Sequence, residues 1–524
     1  METDTNTQGN STVLLGAYDG QGNLLTGWTV GGTVISDPGD HYAPQLVTSE
    51  DMGVIVTWYG WDSTSNYSQV YMQKYSLKGV ALWNGGKPVQ VTTGKYDCQY
   101  PMLVSDKRKG AYVTWMRYDT NLSASSPDIF LQHIDSVGHV ASGWSASPDS
   151  VAVTPSLREY YPHLALTPDL KSVYVVYGSG LVGSTALILK RFNAANGAYY
   201  KSWGSAGDTI SPGGNVYPDV NHDLWLYADN NNNAVVTWIE SRYTANGEVY
   251  MQQVDTTGAS LMTQYGLIVA GITPTNEGVD YLEEMQESDG NFILTFNNLD
   301  IFNDLEALKI TPHGVIIWND TNITVNGKSA YPIAVTDGNK GVFIFYVLTN
   351  SPEALHAIAL DSNGVLYKTW TLPGPGFGEI DNYDVFEPNY DLNPSATNKG
   401  EAIVAWNKIN GVLSQMYICD LLSDGTTCSN PTGINELKAT GEGVSVYPNP
   451  SKGVYTVAIK NYQLKIKNFV EVYNVLGQQV YSNSLVIPNS GFQIDLTAQP
   501  TGIYLYRVIS ENGELIGTGK LIKE

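Results

Sequence analysis

Tyr100-Pro101-Met102-Leu103-Val104 opens a stretch that continues with Ala111-Tyr112-Val113-Thr114-Trp115, then Ile129-Phe130-Leu131-Gln132, a turn closing at Gly138, and finally Trp144. Each apolar run is four or five residues long and rich in β-branched and aromatic side chains. Runs this short, bounded by turn formers, read as strands rather than helices. The stretch therefore predicts four short antiparallel strands, a to d, in order.

The same succession recurs along the chain. An aromatic residue followed by proline returns at Tyr42-Ala43-Pro44, Tyr161-Pro162, Tyr217-Pro218, Tyr331-Pro332 and Phe386-Glu387-Pro388, with proline spacings of 57, 61, 56, 114 and 56. The 114 is two periods, with Gly278-Val279-Asp280-Tyr281 near the middle. About 14 residues after each start comes a run ending in an aromatic: 54–58, 112–115, 173–177, 234–238, 292–296, 342–346 and 402–406. A third strand then closes on a glycine turn, at Gly79, Gly138, Gly197, Gly258, Gly314, Gly364 or Gly425. Tryptophan marks many fourth strands (Trp83, Trp144, Trp203, Trp318, Trp370). Four strands per roughly 57 residues is the signature of a β-propeller. Seven starts predict a seven-bladed ring over residues 11–428, with eight blades as the lesser reading. A strand near Val13 and a d-like strand with Trp28 are expected to complete the last blade.

Composition agrees. Charged residues make up 15% of the 524, while Gly (52), Tyr (35) and Trp (12) are plentiful, a balance that favours pleated structure and tight turns. The formal net charge of −23 argues against a nucleic-acid partner, which needs clustered Lys and Arg. No apolar run is long enough to span a membrane as a helix. The N-terminus has no basic or apolar leader pattern, so a signal peptide is absent from this sequence. Cys419 and Cys428 are close enough in sequence for a disulfide in an oxidising compartment, and Cys98 is expected to be a buried free thiol.

After a linker at 429–442 the period stops. Residues 441–524 hold seven basic and six acidic residues, leaving 21 and 45 for the rest, so the negative charge belongs to the propeller. Alternating apolar residues predict a compact Ig-like β-sandwich of six or seven strands over 443–524. Its motifs run Tyr447-Pro448-Asn449-Pro450-Ser451-Lys452-Gly453, then Tyr473-Asn474-Val475-Leu476-Gly477-Gln478, then Asp495-Leu496 with Pro500-Thr501-Gly502-Ile503-Tyr504, then Lys520-Leu521-Ile522-Lys523. This tail resembles the type A C-terminal sorting domain of the type IX secretion system of Bacteroidota. The resemblance covers about 80 residues and implies export to the outside or to the outer-membrane surface. It implies that the secretion machinery reads the tail, that a sortase often removes it, and that the cargo is often attached to an anionic lipopolysaccharide. The residues carrying the signal would be Pro448, Asn449, Pro450, Gly453, Asn474, Gly477, Gln478, Pro500, Gly502, Tyr504, Lys520 and Lys523.

For the propeller, the long d–a and b–c loops share one face, where function is expected. The b–c loops supply Trp61, Asp62, Arg117, Tyr118, Asp119, Glu240, Arg242 and Tyr243. The d–a loops supply His41, Tyr42, Tyr96, Asp97, Tyr100, Glu159, Tyr160, Tyr161 and Tyr217. Aromatic faces with Arg and carboxylates suit sugar recognition, so Trp61, Arg117, Tyr118, Arg242 and Tyr243 are the candidate ligand contacts. The competing reading is that the tyrosines before proline pack around the channel. Asp62, Asp119 and Glu240 are the candidate carboxylates for a polysaccharide hydrolase or lyase, which would need two of them within about 5–10 Å. No serine-nucleophile elbow or zinc helix is present, and the seven histidines are scattered. No cofactor is predicted. Calcium is the one cation considered, at the oxygen-rich turns Asp229–Asn233 and Asp289–Asn291. The favoured reading is a glycan- or protein-binding module without catalysis. The alternative is the polysaccharide-acting enzyme.

Overall fold

A computed structural model describes residues 2–524 apart from 6–10, 19–23, 30–31, 37–39, 119–125, 155–156, 182–183, 205, 215–223, 242–246, 272–277, 299–303, 324–328, 338–339, 349–353, 380–400, 411–412, 423–424, 426–431, 434–443, 460–466, 475–478, 487–491 and 511–514. The chain divides into two units, residues 1–434 and 435–524.

The first unit is a β-propeller of successive antiparallel sheets. Among the described residues, six are complete four-stranded blades, spanning residues 41–90, 97–152, 158–214, 224–270, 279–323 and 329–379, with strands hydrogen-bonded in sequence order. A three-stranded sheet stands at each end: Glu2–Thr5, Ser11–Leu15 and Thr33–Val34 before the first blade, and Glu401–Asn410, Leu413–Leu422 and Thr432–Gly433 after the sixth. Among the described residues, the N-terminal strand Ser11–Leu15 pairs with its two sequence neighbours. Phe386-Glu387-Pro388, the start expected for the last blade, lies outside the described residues.

The core lies between sheets. Val13, Leu15 and Trp28 of the N-terminal sheet pack with Val56, Trp58 and Tyr75 of the first blade. The same kind of cluster joins each further pair, ending with Phe345, Trp370 and Phe377 of the sixth blade against Ala402, Val404 and Leu421. Each blade buries both faces, which is why its second strands read as unbroken apolar runs.

Two signals that the sequence shows separately are one contact. The tryptophan following one blade's third strand sits on the glycine turn of the next blade. The indole N–H of Trp83 donates to the Ser136 carbonyl at 2.9 Å, that of Trp28 to Leu77 at 2.8 Å, and that of Trp203 to Thr256 at 3.2 Å. At Gly138, φ is +88° and a Cβ would come within 2.8 Å of the Trp83 ring. Both the backbone conformation and the overlying ring therefore require glycine. The fourth blade has no tryptophan in its last strand, and Met262 and Leu267 meet Gly314 instead.

The aromatic-proline signal is a β-bulge in the first strand. The register slips between Tyr42 and Gln45, Gln99 and Met102, Tyr160 and His163, Asp280 and Glu283, and Ala330 and Ile333. Within each slip one residue takes a left-handed φ: Ala43 +44°, Tyr100 +51°, Tyr161 +54°, Tyr281 +56° and Tyr331 +55°. Proline, which has no N–H for the ladder, fits beside a bulge. A bulky residue at positive φ is strained.

Among the described residues, the second unit is a seven-stranded sandwich. Strands Val444–Tyr447, Val454–Ile459 and Phe492–Asp495 form one sheet. Strands Gln479–Val486, Lys467–Asn474, Gly502–Ser510 and Leu515–Lys523 form the other, in that order. Tyr455, Val457, Val470, Val472, Ile494, Tyr504, Tyr506, Val508 and Leu521 fill its core.

Candidate functional site

The bulges carry the first-strand tyrosines toward one another. On the first three blades they form an arc. The ring of Tyr42 lies 5.6 Å from that of Tyr59, Tyr59 lies 5.5 Å from Tyr100, Tyr100 lies 6.5 Å from Tyr161, and Tyr161 lies 5.3 Å from Tyr160. The arc thus crosses from the first blade to the second and from the second to the third. Most of its rings are half-buried, but Tyr42 is 40% exposed. Trp61, at the end of the first blade's second strand, is 48% exposed. Burial, with neighbouring phenols, pushes Tyr59 far above the usual phenol range and Tyr118 up to about 12, so these hydroxyls stay protonated. Arg158, exposed at the start of the third blade, acts on Tyr118 in the opposite direction. A second tyrosine pair joins the fifth and sixth blades: Tyr281 and Tyr331 stand 4.2 Å apart, with their hydroxyls 3.3 Å apart.

The other expected contacts fare differently. Arg117 is held inside the second blade, its guanidinium 3.9 Å from the Phe130 ring centroid, 4.4 Å from that of Tyr96, and 3.3 Å from the Asp128 carboxylate. Asp97 accepts the Ser68 N–H at 2.8 Å and fixes the first blade to the second. His41 is buried, packed edge-on to Tyr71. Asp119, Tyr217, Arg242 and Tyr243 lie outside the described residues, as does Cys428 of the expected disulfide. Cys98 is a buried free thiol, and burial pushes it up to about 11.

The two candidate carboxylates that lie within the described residues, Asp62 and Glu240, are occupied. Asp62 accepts the Thr64 N–H at 2.9 Å, which holds it below the usual carboxylate range. Glu240 is fully buried and accepts from Ser211 Oγ at 2.8 Å and Trp238 Nε1 at 2.9 Å. Glu159, one residue before Tyr160, is 1% exposed, and burial raises its carboxyl to about 7. The turns considered for calcium are likewise filled. Asp229 Oδ1 accepts from the backbone of Asn231 and Asn233, and its Oδ2 accepts from Asn233 and Gln253. Asp289 accepts from Asn291 and faces Lys309 at 3.3 Å. Carboxylates saturated by N–H donors do not fit a cation.

Sequence reasoning missed Tyr59 and Arg158. Tyr59 was within reach: Trp58 points into the core, and in a strand its neighbour must face the other way.

In the tail, motifs far apart in sequence close on one another. Asn449 donates to the Lys520 carbonyl at 2.6 Å and accepts the Ile522 N–H at 2.8 Å. Ser451 donates its N–H to the Ile522 carbonyl and accepts that of Glu524. Lys523 Nζ donates to the carbonyls of Thr497, at 2.8 Å, and Gln499. Tyr504 donates to the Pro500 carbonyl at 2.6 Å. Leu496 donates its N–H to the carbonyl of Gly453, where φ is +117° and a Cβ would meet Thr497 Cα at 2.9 Å. Lys523 is thus tied into the module, and Lys520 stays exposed. Gly477 and Gln478 lie outside the described residues.

Residues 445–524 match the family model described as a secretion system C-terminal sorting domain. The tail is a sorting domain. The chain is therefore a secreted or outer-membrane surface protein that the secretion machinery handles. Among the described residues, no helix is long and apolar enough to cross a membrane. No curated protein matches the chain. Among solved structures it is similar to a polysaccharide lyase, an ulvan lyase bound to a glucuronate–sulfated rhamnose unit. That likeness has 9% identity over 77% of this chain and 94% of the other, with a TM-score of 0.42. It is also similar to a Hadza microbial sialidase, with 12% identity over 58% and 63% and a TM-score of 0.34. A protein of unknown function from Dyadobacter fermentans shares 9% identity over 60% and 92%, with a TM-score of 0.31. Likenesses this remote say nothing of activity.

Proposed function

We propose that the propeller is the working part of a secreted or surface-displayed binding protein, and that the tyrosine arc beside Trp61 takes a glycan without chemical conversion. The observation that carries this reading is the arc itself, spanning three blades with half-open rings. Sugar rings stack their apolar faces on aromatic side chains, while phenol hydroxyls and Arg158 supply hydrogen bonds to hydroxyls or acid groups. The same reading has the tail removed by a sortase and the propeller held on anionic lipopolysaccharide at the cell surface.

A glycan array probed with the full chain tests it. We expect binding to a restricted set of polysaccharides, reduced at least tenfold by Tyr100→Ala with Tyr161→Ala. An empty array, or binding that this double variant leaves unchanged, overturns the reading.

The second reading, a polysaccharide hydrolase or lyase, is favoured by one feature. Glu159, one residue before Tyr160 in the third blade's first strand, is a carboxyl raised to about 7, the protonation range of a proton donor at neutral pH. It predicts reducing ends or unsaturated products from polysaccharide mixtures, abolished by Glu159→Gln. No turnover on a broad panel would sink it.

A further inference from the structure

The outward face of the sorting domain's four-stranded sheet is apolar where water would be expected. Along the strand Gly502–Ser510, Tyr504, Tyr506 and Val508 point into the core, so Ile503, Leu505 and Arg507 point out. Ile503 is 49% exposed and Leu505 53%. The register places them beside the end of the closing motif: Ile503 lies opposite Ile522 and Leu505 opposite Lys520. On its other side, Leu505 lies opposite Tyr473. One border of this patch is already neutralised. Glu471 accepts from Arg507 at 2.5 Å and from the Tyr473 hydroxyl at 2.7 Å, and Arg507 lies 5.3 Å from the Tyr473 ring centroid. The other border holds the exposed Lys520. The result is a run of aliphatic side chains with a cation at its edge that has no ion-pair partner among the described residues. Scattered exposed aliphatics are ordinary, but a contiguous rimmed patch marks a contact surface.

We propose that this face, centred on Ile503 and Leu505, is where a protein of the secretion machinery grips the tail, through an apolar surface bordered by carboxylates. Two observations fix that occupant. The domain belongs to a family defined by being read by a secretion system, so a protein must contact it. The patch is also continuous with the closing motif, because Lys520 and Ile522 lie on it while Lys523 is spent inside the module. A carboxylate border answers Lys520 and would repel the cargo, which carries all of the chain's net negative charge.

The test uses the full chain behind an export leader taken from the host, in a Bacteroidota host that has the secretion system. Display is read by protease shaving of whole cells, and folding by the melting midpoint of the purified chain. The double variant Ile503→Thr, Leu505→Thr places a strand-favouring β-branched residue at both positions while removing apolar surface. We expect it to lower the displayed fraction at least tenfold and to accumulate in the periplasm with an unchanged midpoint. Lys520→Glu, on a solvent-facing side chain, should lower display at least threefold. Deletion of 445–524 is the reference for complete loss. Display within twofold of wild type in both variants, while the deletion abolishes it, overturns the proposal. Unchanged display after the deletion overturns it too, by showing that this tail is not read. If the double variant keeps display but converts a dimer to a monomer in sedimentation, the face belongs to a second copy and the proposal also fails.

Discussion

The tryptophans near the fourth strands and the tyrosines of the first strands both recur blade after blade, each beside a residue that shapes the backbone, yet their energetics run in opposite directions. Trp83, Trp144 and Trp203 are buried and bonded through their indole N–H groups. The turns they cover use glycine, which enters the left-handed region without a Cβ penalty. Tyr100, Tyr161, Tyr281 and Tyr331 enter the same region with full side chains, at about 1–3 kcal/mol each, and their rings stay half open. One motif removes strain and completes a seam between blades. The other keeps strain and leaves surface exposed. Stability alone accounts for the first. The second makes sense where the ring itself is needed, which is why the arc, and not the seam, is the proposed binding surface.

The sharpest way to break this contrast is at the seam. Trp203→Ala removes a buried ring between the third and fourth blades and the hydrogen bond to the Thr256 carbonyl. The expected loss is about 3–5 kcal/mol, read as a lower urea midpoint of the whole propeller. A loss below about 1 kcal/mol would mean that the blades do not depend on this contact.

The inner strands carry a second misfit, which pH exposes. Glu284, in the first strand of the fifth blade, is buried. The Thr237 hydroxyl donates to its carboxyl, which burial raises to about 8. Its folded pKa lies above the unfolded value, so the folded state binds the proton more tightly. Its stabilising contribution is complete below about pH 4.5 and is lost as pH rises through about 8. The melting midpoint should therefore fall between pH 6 and pH 9, and Glu284→Gln should flatten that part of the profile. Glu159, raised to about 7, contributes a fall of the same sign at lower pH. A profile that Glu284→Gln leaves unaltered would show that the carboxyl is ionised in the fold at little expense.

How much of this was readable in advance follows from range. Short apolar runs and glycine turns are local, so the strands, the period and the all-β class stand in the sequence, and the sorting domain declares itself through contiguous motifs. What was hidden is contact between elements. Trp83 and Gly138 are both visible as signals, but nothing local says that one covers the other across a blade boundary. The residues before Pro101 and Pro162 look like strand starts, because a bulge is a mismatch between two strands and needs both to be seen. Glu240 was read as a loop carboxylate. The strand Ala234–Glu240 runs to that very residue, which turns it inward to Ser211 and Trp238. Arg117 reads as available for a ligand because its stacking partners are remote in sequence: Tyr96 precedes the second blade's first strand and Phe130 lies in its third.

The finest test asks whether the tyrosine bulges are strained at all. Within strands, alanine is ordinarily more stable than glycine by about 0.5–1 kcal/mol. At Tyr100 the order should reverse. Tyr100→Ala loses the half-buried ring and keeps a Cβ at φ +51°, where an L side chain costs about 1–2 kcal/mol. Tyr100→Gly loses the same ring but releases that strain, which offsets the greater freedom glycine gains in the unfolded chain. Glycine should therefore be the more stable of the two by about 1 kcal/mol, and should lie close to wild type in urea unfolding. Both variants should lose glycan binding equally, since both lack the ring. If alanine proves the more stable, the bulge is not strained. The tyrosines would then differ from the tryptophans only in exposure, and the backbone would give no reason to assign them the ligand.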